Sequence, residues 1–216
     1  MIITDIETSG LTGREGIWQI GCLEFENPDN YFLEEGRIDN EDLIDSMALK
    51  LTGKTEAELR NPNLQSQEQL IRNYLKFVEK VKNRVNIGVN IGWDISMIQD
   101  KAIKYGIHDE FLRVINQRAM DLHTLAQEKY WMVNGVYLTD DNGRDVMNLS
   151  RISEMCGIED NRMNITGKNV VKEGEPHDAL EDCRLEAECY SRIKFGRGLL
   201  SKYTKFEIPE NLRRIA

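Results

Sequence analysis

A histidine and an aspartate stand five residues apart where a loop containing Gly and Pro gives way to a helical pattern. The stretch EGEPHDALEDCRLEA, residues 173–187, places His177 at this junction and Asp182 just inside the predicted helix. A helix holds the carboxylate in place, whereas an imidazole at a helix start can swing, and a histidine titrates near neutral pH. His177 therefore suits a general base acting on water, and the plainer alternative is a histidine that caps or packs at the helix start.

Three more acids stand in or directly after predicted strands. Asp5 and Glu7 are two residues apart in the strand-like MIITDIET, so both side chains point to one face, where two like charges repel each other. Either both are well solvated or a cation lies between them. Asp5 ends an otherwise apolar strand, and sites in α/β sheets gather at strand ends. Asp94 follows another predicted strand in VNIGWDISMI. At this position an aspartate is as consistent with a helix N-cap as with a residue of a functional site.

Four acids that come together in space need cations to stay ionised, and hard oxygen ligands select Mg²⁺ or Mn²⁺ over zinc. Two such ions about 3.5–4 Å apart clamp the attacking and leaving oxygens of a phosphodiester displacement. The ions also explain how a chain with a net charge of -9 could act on a polyanion, because the metals would hold the scissile phosphate. If the four acids meet in space, they fit metal-dependent phosphodiester chemistry.

The elements that must position these residues are strands followed by an alternation of strands and helices. Strands are predicted for MIITDI, for GIWQIGCLEF, for NYFL after the turn-like NPDN, for RVNIGVNIGW and for RAMDL. An amphipathic helix is predicted for SQEQLIRNYLKFVEKV, where Ser66 and Gln69 have capping-box spacing. Further helices are predicted for DISMIQDKAIKYG, closed by Gly106, and for DEFLRVI, HTLAQEKYWM and LSRISEMCG. This order favours an α/β sandwich around a mixed sheet.

Two segments interrupt the alternation before its last helix. Residues 133–147 include an Asp-Asn-Gly turn signal and are predicted to leave the core, with a partner contact or a dimer surface as open roles. Residues 158–176 are polar and lack periodicity, which predicts a mobile loop. The predicted buried stripe of the helix that follows consists of Leu180, Cys183, Ala187 and Tyr190.

Three segments, taken in order, resemble the motifs of the DEDDh superfamily of 3'-5' exonucleases, which includes proofreading subunits, ribonuclease T and oligoribonuclease. DIETSGL at residues 5–11 is similar to the first motif, NIGWD at 90–94 to the second, and HDALED at 177–182 to the third. The resemblance spans most of the chain and implies a ribonuclease-H-like α/β fold, a mixed β-sheet flanked by α-helices. It implies a 3'-5' exonuclease that releases nucleoside 5'-monophosphates from single-stranded nucleic acid.

The resemblance also assigns roles to individual residues. The implied catalytic and metal-binding acids are Asp5, Glu7, Asp94 and Asp182, which would hold two divalent cations, Mg²⁺ or Mn²⁺. His177 would deprotonate the attacking water. The implied substrate-binding residues are Ile6, Thr8, Ser9, Gly10, Leu11, Asn90, Trp93 and His177. Core packing is the alternative for Leu11 and Trp93. The family commonly has His at the position of Val89 and Phe or Tyr at the position of Trp93. These two departures leave the substrate preference open.

Length and composition predict one domain. The chain has 216 residues, of which 40% are hydrophobic and 30% are charged, as in ordinary globular proteins. We expect an exonuclease domain at residues 1–195 and a basic C-terminal tail at 196–216 that packs on this domain or extends from it. From Arg192 onward seven bases stand against two acids, and such a run is more often a solvated surface than a phosphate-binding one.

Cysteine usage and hydropathy bear on the compartment and the partners. The four cysteines lack C-x-x-C spacing, which predicts reduced packing residues in a cytoplasmic protein. No segment approaches the ~18 apolar residues of a membrane helix, and the N-terminus has no basic leader, so we expect no membrane contact. The expected partner is the 3' end of single-stranded DNA or RNA. The sequence leaves open whether the protein forms a homodimer. It also leaves open a polymerase partner, although no docking peptide supports one.

A second hypothesis is a catalytically inactive or weakly active binding module of the same fold. Such a module would engage a protein or nucleic-acid partner through the acidic face or the basic tail. It predicts a broken set of metal ligands, whereas every ligand position of the three motifs is filled in this sequence.

Overall fold

The computed structural model describes residues 1–166 and 169–213, with the backbone alone across 164–166 and 169–171. The predicted loop at 158–176 and the predicted basic tail at 196–216 each include residues outside this range, at 167–168 and 214–216. A central sheet has the strand order β3-β2-β1-β4-β5. Its strands are β1 (Ile2–Thr8), β2 (Ile17–Glu24), β3 (Asn27–Glu35), β4 (Asn86–Gly88) and β5 (Ala119–Asp121). Strands β1, β2 and β3 pair antiparallel, whereas β4 and β5 run parallel to β1, and this mixed sheet confirms the predicted α/β fold.

Helices cover both faces of the sheet, which makes a three-layer sandwich. The helices are α1 (Ser46–Thr52), α2 (Glu56–Leu59), α3 (Gln67–Lys80), α4 (Ile91–Lys104), α5 (His108–Val114), α6 (Leu122–Asn134), α7 (Leu149–Met155), α8 (Ala179–Phe195) and α9 (Glu210–Arg213). One core joins α3, α4 and α5 to the sheet face that carries Ile2 and Ile6. The second core joins helices α6, α7, α8 and α9 to the sheet face that carries Ile3. Successive strand residues alternate between faces, so Asp5 and Glu7 project toward the α8 side together with Ile3.

Several helix predictions are confirmed together with their caps. Ser66 caps α3 and accepts a hydrogen bond from the backbone N of Gln69, and the predicted apolar stripe of this helix is buried. The stripe of α8 is buried as predicted, and so are all four cysteines, which are free. Gly106 and Gly157 take the positive φ angles expected just after helix ends. No helix among the described residues is long and apolar enough to cross a membrane.

The turn predicted at NPDN is wrong. Residues Asn27–Glu35 form strand β3, and Glu24 already pairs with Asn27, so the chain reverses at Phe25 and Glu26. Pro28 is tolerated inside this strand because β3 lies at the edge of the sheet, where a missing N–H leaves no ladder bond unmade.

The strand predicted over RVNIGVNIGW is too long. Strand β4 ends at Gly88 and helix α4 begins at Ile91, after Asn90 turns the chain in the left-handed region with φ of 56°. Asparagine enters this region more readily than most residues. Asp94 therefore lies within the first turn of α4 rather than at its N-cap, which is the position of Asn90.

The loop predicted for residues 158–176 is wrong in its middle part. Strands β6 (Asn164–Thr166) and β7 (Asn169–Lys172) pair antiparallel and form a two-stranded sheet of their own. The excursion at 133–147 is mostly exposed as predicted, and Thr139 and Asp145 form an antiparallel bridge around its Asp-Asn-Gly turn. Its last residue contradicts the prediction, because Met147 is buried in the second core.

Arg192 contradicts the prediction of a solvated basic run from residue 192 onward. Its side chain is 1% exposed and its Nε lies 2.7 Å from Glu188 Oε1. The guanidinium also donates to the backbone oxygens of Cys156 and Tyr203, at 3.0 Å each. The later tail packs on the second core through its apolar residues, which include Leu199, Leu200, Phe206, Ile208 and Leu212. The boundary between residues 195 and 196 stays a prediction.

Candidate active site

Three elements bring the acids of the three motifs together. Asp5 and Glu7 project from β1 toward α8, which carries Asp182. Asp94 joins them from α4, because its Oδ1 accepts a hydrogen bond from the backbone N of Ile6 at 3.2 Å. This bond ties the first turn of α4 to the middle of β1. Acids of different motifs, which are 87 or more residues apart in the sequence, thus meet at one place beside β1.

The start of α8 reaches this end because the neighbouring strand has no side chain in its way. A Cβ added to Gly21 on β2 would lie 2.4 Å from the carbonyl carbon of Ala179, so only glycine permits this approach. The Gln19 side chain, also on β2, accepts a hydrogen bond from Ala179 N at 2.9 Å. Asp178 caps the helix by accepting from the backbone N of Leu180 and of Glu181. Helix α8, and with it Asp182, is therefore fixed against β2.

Burial and mutual repulsion make the ionised acids unfavourable in the metal-free site. Burial first, and then the charge of Asp182, raises the pKa of Glu7 to about 8. Burial also raises the pKa of Asp94 to about 8. The pKa of Asp5 rises well above its usual value, because burial acts together with the charges of Asp94, Asp182 and Glu7.

The donor set fits a divalent cation. One ligand atom from each of Glu7, His177 and Asp182 lies within 4.8 Å of the others. The Oδ1 atom of Asp182 is buried and has no hydrogen-bond partner, although a buried carboxylate oxygen without a partner is costly. A cation would satisfy this oxygen and offset the repulsion among the acids. The chemistry of the site, mostly carboxylate oxygens, agrees with Mg²⁺ or Mn²⁺.

His177 has both ring nitrogens engaged. Its Nε2 lies 2.9 Å from the carbonyl oxygen of Met163, and its Nδ1 lies 3.3 Å from Asp182 Oδ2. Burial lowers the pKa of His177, but the hydrogen bond and the charge of Asp182 outweigh burial and raise it above its usual value. Accepting a proton from water at Nδ1 or Nε2 requires the ring to leave one of these contacts. The swing that the sequence suggested is therefore part of the general-base role, which stays a prediction.

A groove of about 860 Å³ lies beside the carboxylates. Ile6, Glu7 and Thr8 of β1 line it, and Gly10 and Leu11 follow them on the loop. Among the predicted substrate-binding residues it is also lined by Trp93, which is half-buried against the first core. Leu11 is 77% exposed, which core packing does not explain.

Glu15 holds the loop that presents Leu11. Its carboxylate accepts hydrogen bonds from the backbone N of Thr12 at 2.8 Å and of Arg14 at 3.0 Å. The exposed leucine therefore stands on a fixed loop at the edge of the groove.

Besides His177, two predicted substrate-binding residues do not line this groove. Ser9 is fully buried, and its Oγ donates to Leu43 O at 2.6 Å while accepting from Gly16 N at 2.9 Å. Asn90 shapes the turn before α4, and its backbone N donates to Asp121 Oδ1 at 3.1 Å. Their positions support a role in holding the groove, whereas a direct contact with substrate remains a prediction.

The opposite wall of the groove was not found from the sequence. Helix α1 and the residue before it supply it, through Asp45, Ser46, Met47, Ala48, Leu51 and Thr52. The carbonyl oxygen of Leu51 accepts a hydrogen bond from His177 N at 3.0 Å, so this wall is joined to the histidine. A short helix of seven residues, with one buried residue, gives no strong periodic signal.

Two charged residues beside Asp182 were also missed. Arg162 donates from Nη1 to Asp182 Oδ2 at 2.7 Å. Glu186, one turn after Asp182 on α8, accepts from Val89 N at 2.8 Å, and burial raises its pKa well above the usual value. The four-residue spacing from Asp182 could have indicated Glu186. No spacing rule connects Arg162 to the motifs, because the segment before β6 has no periodicity.

Solved structures of exonucleases share this fold. E. coli exonuclease I in complex with a dA16 oligonucleotide matches with a TM-score of 0.62 and 15% identity, over 88% of this chain and 40% of that one. Exonuclease X in complex with 5'-overhanging duplex DNA matches with a TM-score of 0.54 and 18% identity, over 92% of this chain and 94% of that one. A 3'-exonuclease with 3'-end specific recognition of a histone mRNA stem-loop matches with a TM-score of 0.57 and 14% identity, over 89% of this chain and 62% of that one.

These matches confirm the ribonuclease-H-like fold that the three motifs implied, a mixed β-sheet flanked by α-helices. The chain spans about two fifths of the length of exonuclease I. Comparison with protein-family models and with curated protein sequences gives no match. The likeness is therefore one of fold, and it is accompanied by the site geometry described above.

Proposed function

We propose that this protein is a metal-dependent 3'-5' exonuclease that acts on single-stranded nucleic acid. The observation that carries the proposal is the convergence of Asp5, Glu7, Asp94 and Asp182 beside a groove, with His177 in contact with the last of them. A binding module would gain nothing from four carboxylates, three of them buried, that destabilise each other. The solved neighbours in complex with DNA or RNA support a nucleic acid as the substrate.

The four acids would hold two divalent cations, which supply positive charge to the scissile phosphate and to the attacking and leaving oxygens. Leu11 and Trp93 would position the terminal nucleotide by apolar contact and stacking in the groove. His177, once its Nδ1 or Nε2 has left Asp182 or Met163, would take the proton of the attacking water. The expected products are nucleoside 5'-monophosphates and a strand one nucleotide shorter.

Product analysis tests the reaction itself. Unlabelled single-stranded DNA and RNA are incubated with Mn²⁺ or Mg²⁺, and the products are separated by chromatography. We expect nucleoside 5'-monophosphates from the wild type and none from Asp5→Asn, which keeps the size of the side chain and removes a ligand charge. Nucleoside 3'-monophosphates, or equal product from the Asp5→Asn variant, would contradict the proposal. A folded, metal-bound wild type that releases no product would favour the binding module.

A further inference from the structure

Arg162 is held in one position by a second carboxylate that lies behind it. Its Nε and Nη2 donate to the two oxygens of Asp160, at 3.0 Å each, and its Nη1 donates to Asp182 Oδ2 at 2.7 Å. Asp160 is in turn fixed by Ser150, whose Oγ lies 2.6 Å from Asp160 Oδ2. A bidentate guanidinium–carboxylate pair fixes geometry more strictly than a single contact does. The free edge of Arg162 therefore meets Asp182 at a defined angle.

The two oxygens of Asp182 have different surroundings. Oδ2 accepts from Arg162 and lies 3.3 Å from His177 Nδ1, whereas Oδ1 is buried and has no partner. A carboxylate with one oxygen bound on a fixed guanidinium cannot rotate without breaking that bond. Its other oxygen, Oδ1, is then kept in one position, on a carboxylate that offers a ligand atom to the cluster with Glu7 and His177.

We infer that Arg162 is a positioning residue that holds Asp182 so that Oδ1 is presented to the metal. This inference rests on the proposed function, because it concerns the ligands of that same site. Groups that orient a metal ligand commonly contribute 10–100-fold to metal affinity, so about this loss is expected without Arg162. Nothing in the three motifs assigns a role to Arg162 or to Asp160.

A cation beside a metal ligand would also repel the metal, and this effect has the opposite sign. The repulsion is small here because Asp160 already balances the charge of Arg162 through two short contacts. Together the two side chains form a neutral pair, and they are 13% and 7% exposed. Orientation therefore outweighs repulsion, and removal of Arg162 weakens metal binding.

Mn²⁺ binding without nucleic acid tests this inference. Electron paramagnetic resonance measures the free Mn²⁺ during titration of wild type, Arg162→Gln, and the double variant Arg162→Gln/Asp160→Asn. The double variant removes both buried charges, so it keeps the fold if Arg162→Gln alone leaves Asp160 unpaired and unfolds. The control is Arg184→Gln, which removes an arginine that lies on α8 from its exposed pair with Glu181.

We expect Mn²⁺ binding about 10–100-fold weaker in both Arg162 variants and unchanged in the control. Wild-type or tighter affinity in the folded double variant would overturn the inference, because a merely structural pair is replaced by two neutral amides without loss. The nuclease assay separates the two proposals. A wild type that binds Mn²⁺ but shortens no strand overturns the exonuclease and leaves the role of Arg162 intact. An active enzyme whose Arg162 variants bind Mn²⁺ normally overturns only the role of Arg162.

Discussion

The pKa of Asp94 makes the metal-free protein sensitive to pH. Burial raises this pKa to about 8 in the folded chain, whereas an unfolded aspartate has a pKa of about 3.9. Folding then favours the protonated carboxyl, so its contribution to stability is fully present below the unfolded pKa and is lost as pH rises toward about 8. The metal-free protein is expected to lose stability over this window.

The Asp94→Asn variant checks this expectation, because its amide stays neutral and can still accept from Ile6 N. In the presence of chelator, its melting temperature is expected to exceed that of wild type at pH 8 by at least about 3 °C, which corresponds to about 1 kcal/mol in a chain of this length. The difference should shrink at pH 5. Equal melting temperatures at both pH values would show that Asp94 ionises without cost in the folded protein.

His177 gives a second prediction at this scale. His177→Ala removes the proposed base and none of the four carboxylates, so Mn²⁺ binding should persist while kcat falls by about 10²–10⁴-fold. The control is His123→Ala, which removes an imidazole paired with Asp145 on the excursion. Turnover of His177→Ala equal to that of the control would remove the base assignment.

The motif residues could be predicted because each reports a chemical type at a fixed spacing, and the structure brings Asp5, Glu7, Asp94 and Asp182 to one place. The surroundings of these residues could not be predicted from the sequence. Ser9 stands in the first motif, yet its hydroxyl donates a hydrogen bond to Leu43 O and accepts one from Gly16 N. Hydrogen bonds between residues far apart in the chain leave no local pattern.

At the scale of elements, the wall of the groove depends on a buried ion pair. The segment before α1 is anchored on α4, because Lys101 Nζ lies 2.7 Å from Asp42 Oδ1 and both side chains are buried. Gln67 Nε2 donates to the other oxygen of Asp42 at 2.8 Å. This anchor sets where α1 faces the groove.

Lys101→Met should therefore destabilise the fold and weaken substrate binding. Removing one partner of a buried ion pair costs about 3–5 kcal/mol, and a displaced α1 should raise KM. The control is Lys104→Met, whose more exposed ammonium also reaches Asp39 and Asp42 and should cost under about 1 kcal/mol. Urea denaturation measures both, and equal midpoints would contradict the anchoring role.

The elements were predictable where periodicity was strong, as in α3 and α8. Prediction failed where a short strand meets a helix without a polar break. In VNIGW the apolar residues continue a strand pattern, and only the left-handed turn at Asn90 separates β4 from α4. Strands of three or four residues in β6 and β7 are too short to show alternation.

At the scale of the whole molecule, Arg192 and Glu188 tie the C-terminal segment to the domain. Glu188 Oε2 accepts from Leu199 N and Leu200 N at 2.8 Å each, while Arg192 reaches the carbonyl oxygens of Cys156 and Tyr203. A basic residue at this position looks like surface in the sequence, because composition carries no information on a buried partner.

Arg192→Met should lower the stability of the entire domain by about 3–5 kcal/mol, since Glu188 would stay buried without a counter-charge. Lys194→Met, an exposed change on the same helix, serves as the control. Thermal unfolding followed by circular dichroism compares the two. If Arg192→Met melts together with the control, the segment after α8 is not integrated into the fold by this pair.

The central claim is tested most directly by digestion of 5'-labelled single-stranded DNA and RNA of equal sequence, with Mn²⁺, with Mg²⁺ and with chelator. Products are resolved on a sequencing gel beside those of the Asp182→Asn variant. We predict a ladder that shortens from the 3' end, needs the metal, is absent from the variant, and shows which sugar is preferred. Internal cuts, cleavage in chelator, or no cleavage of either strand by the folded, metal-bound protein would contradict the claim.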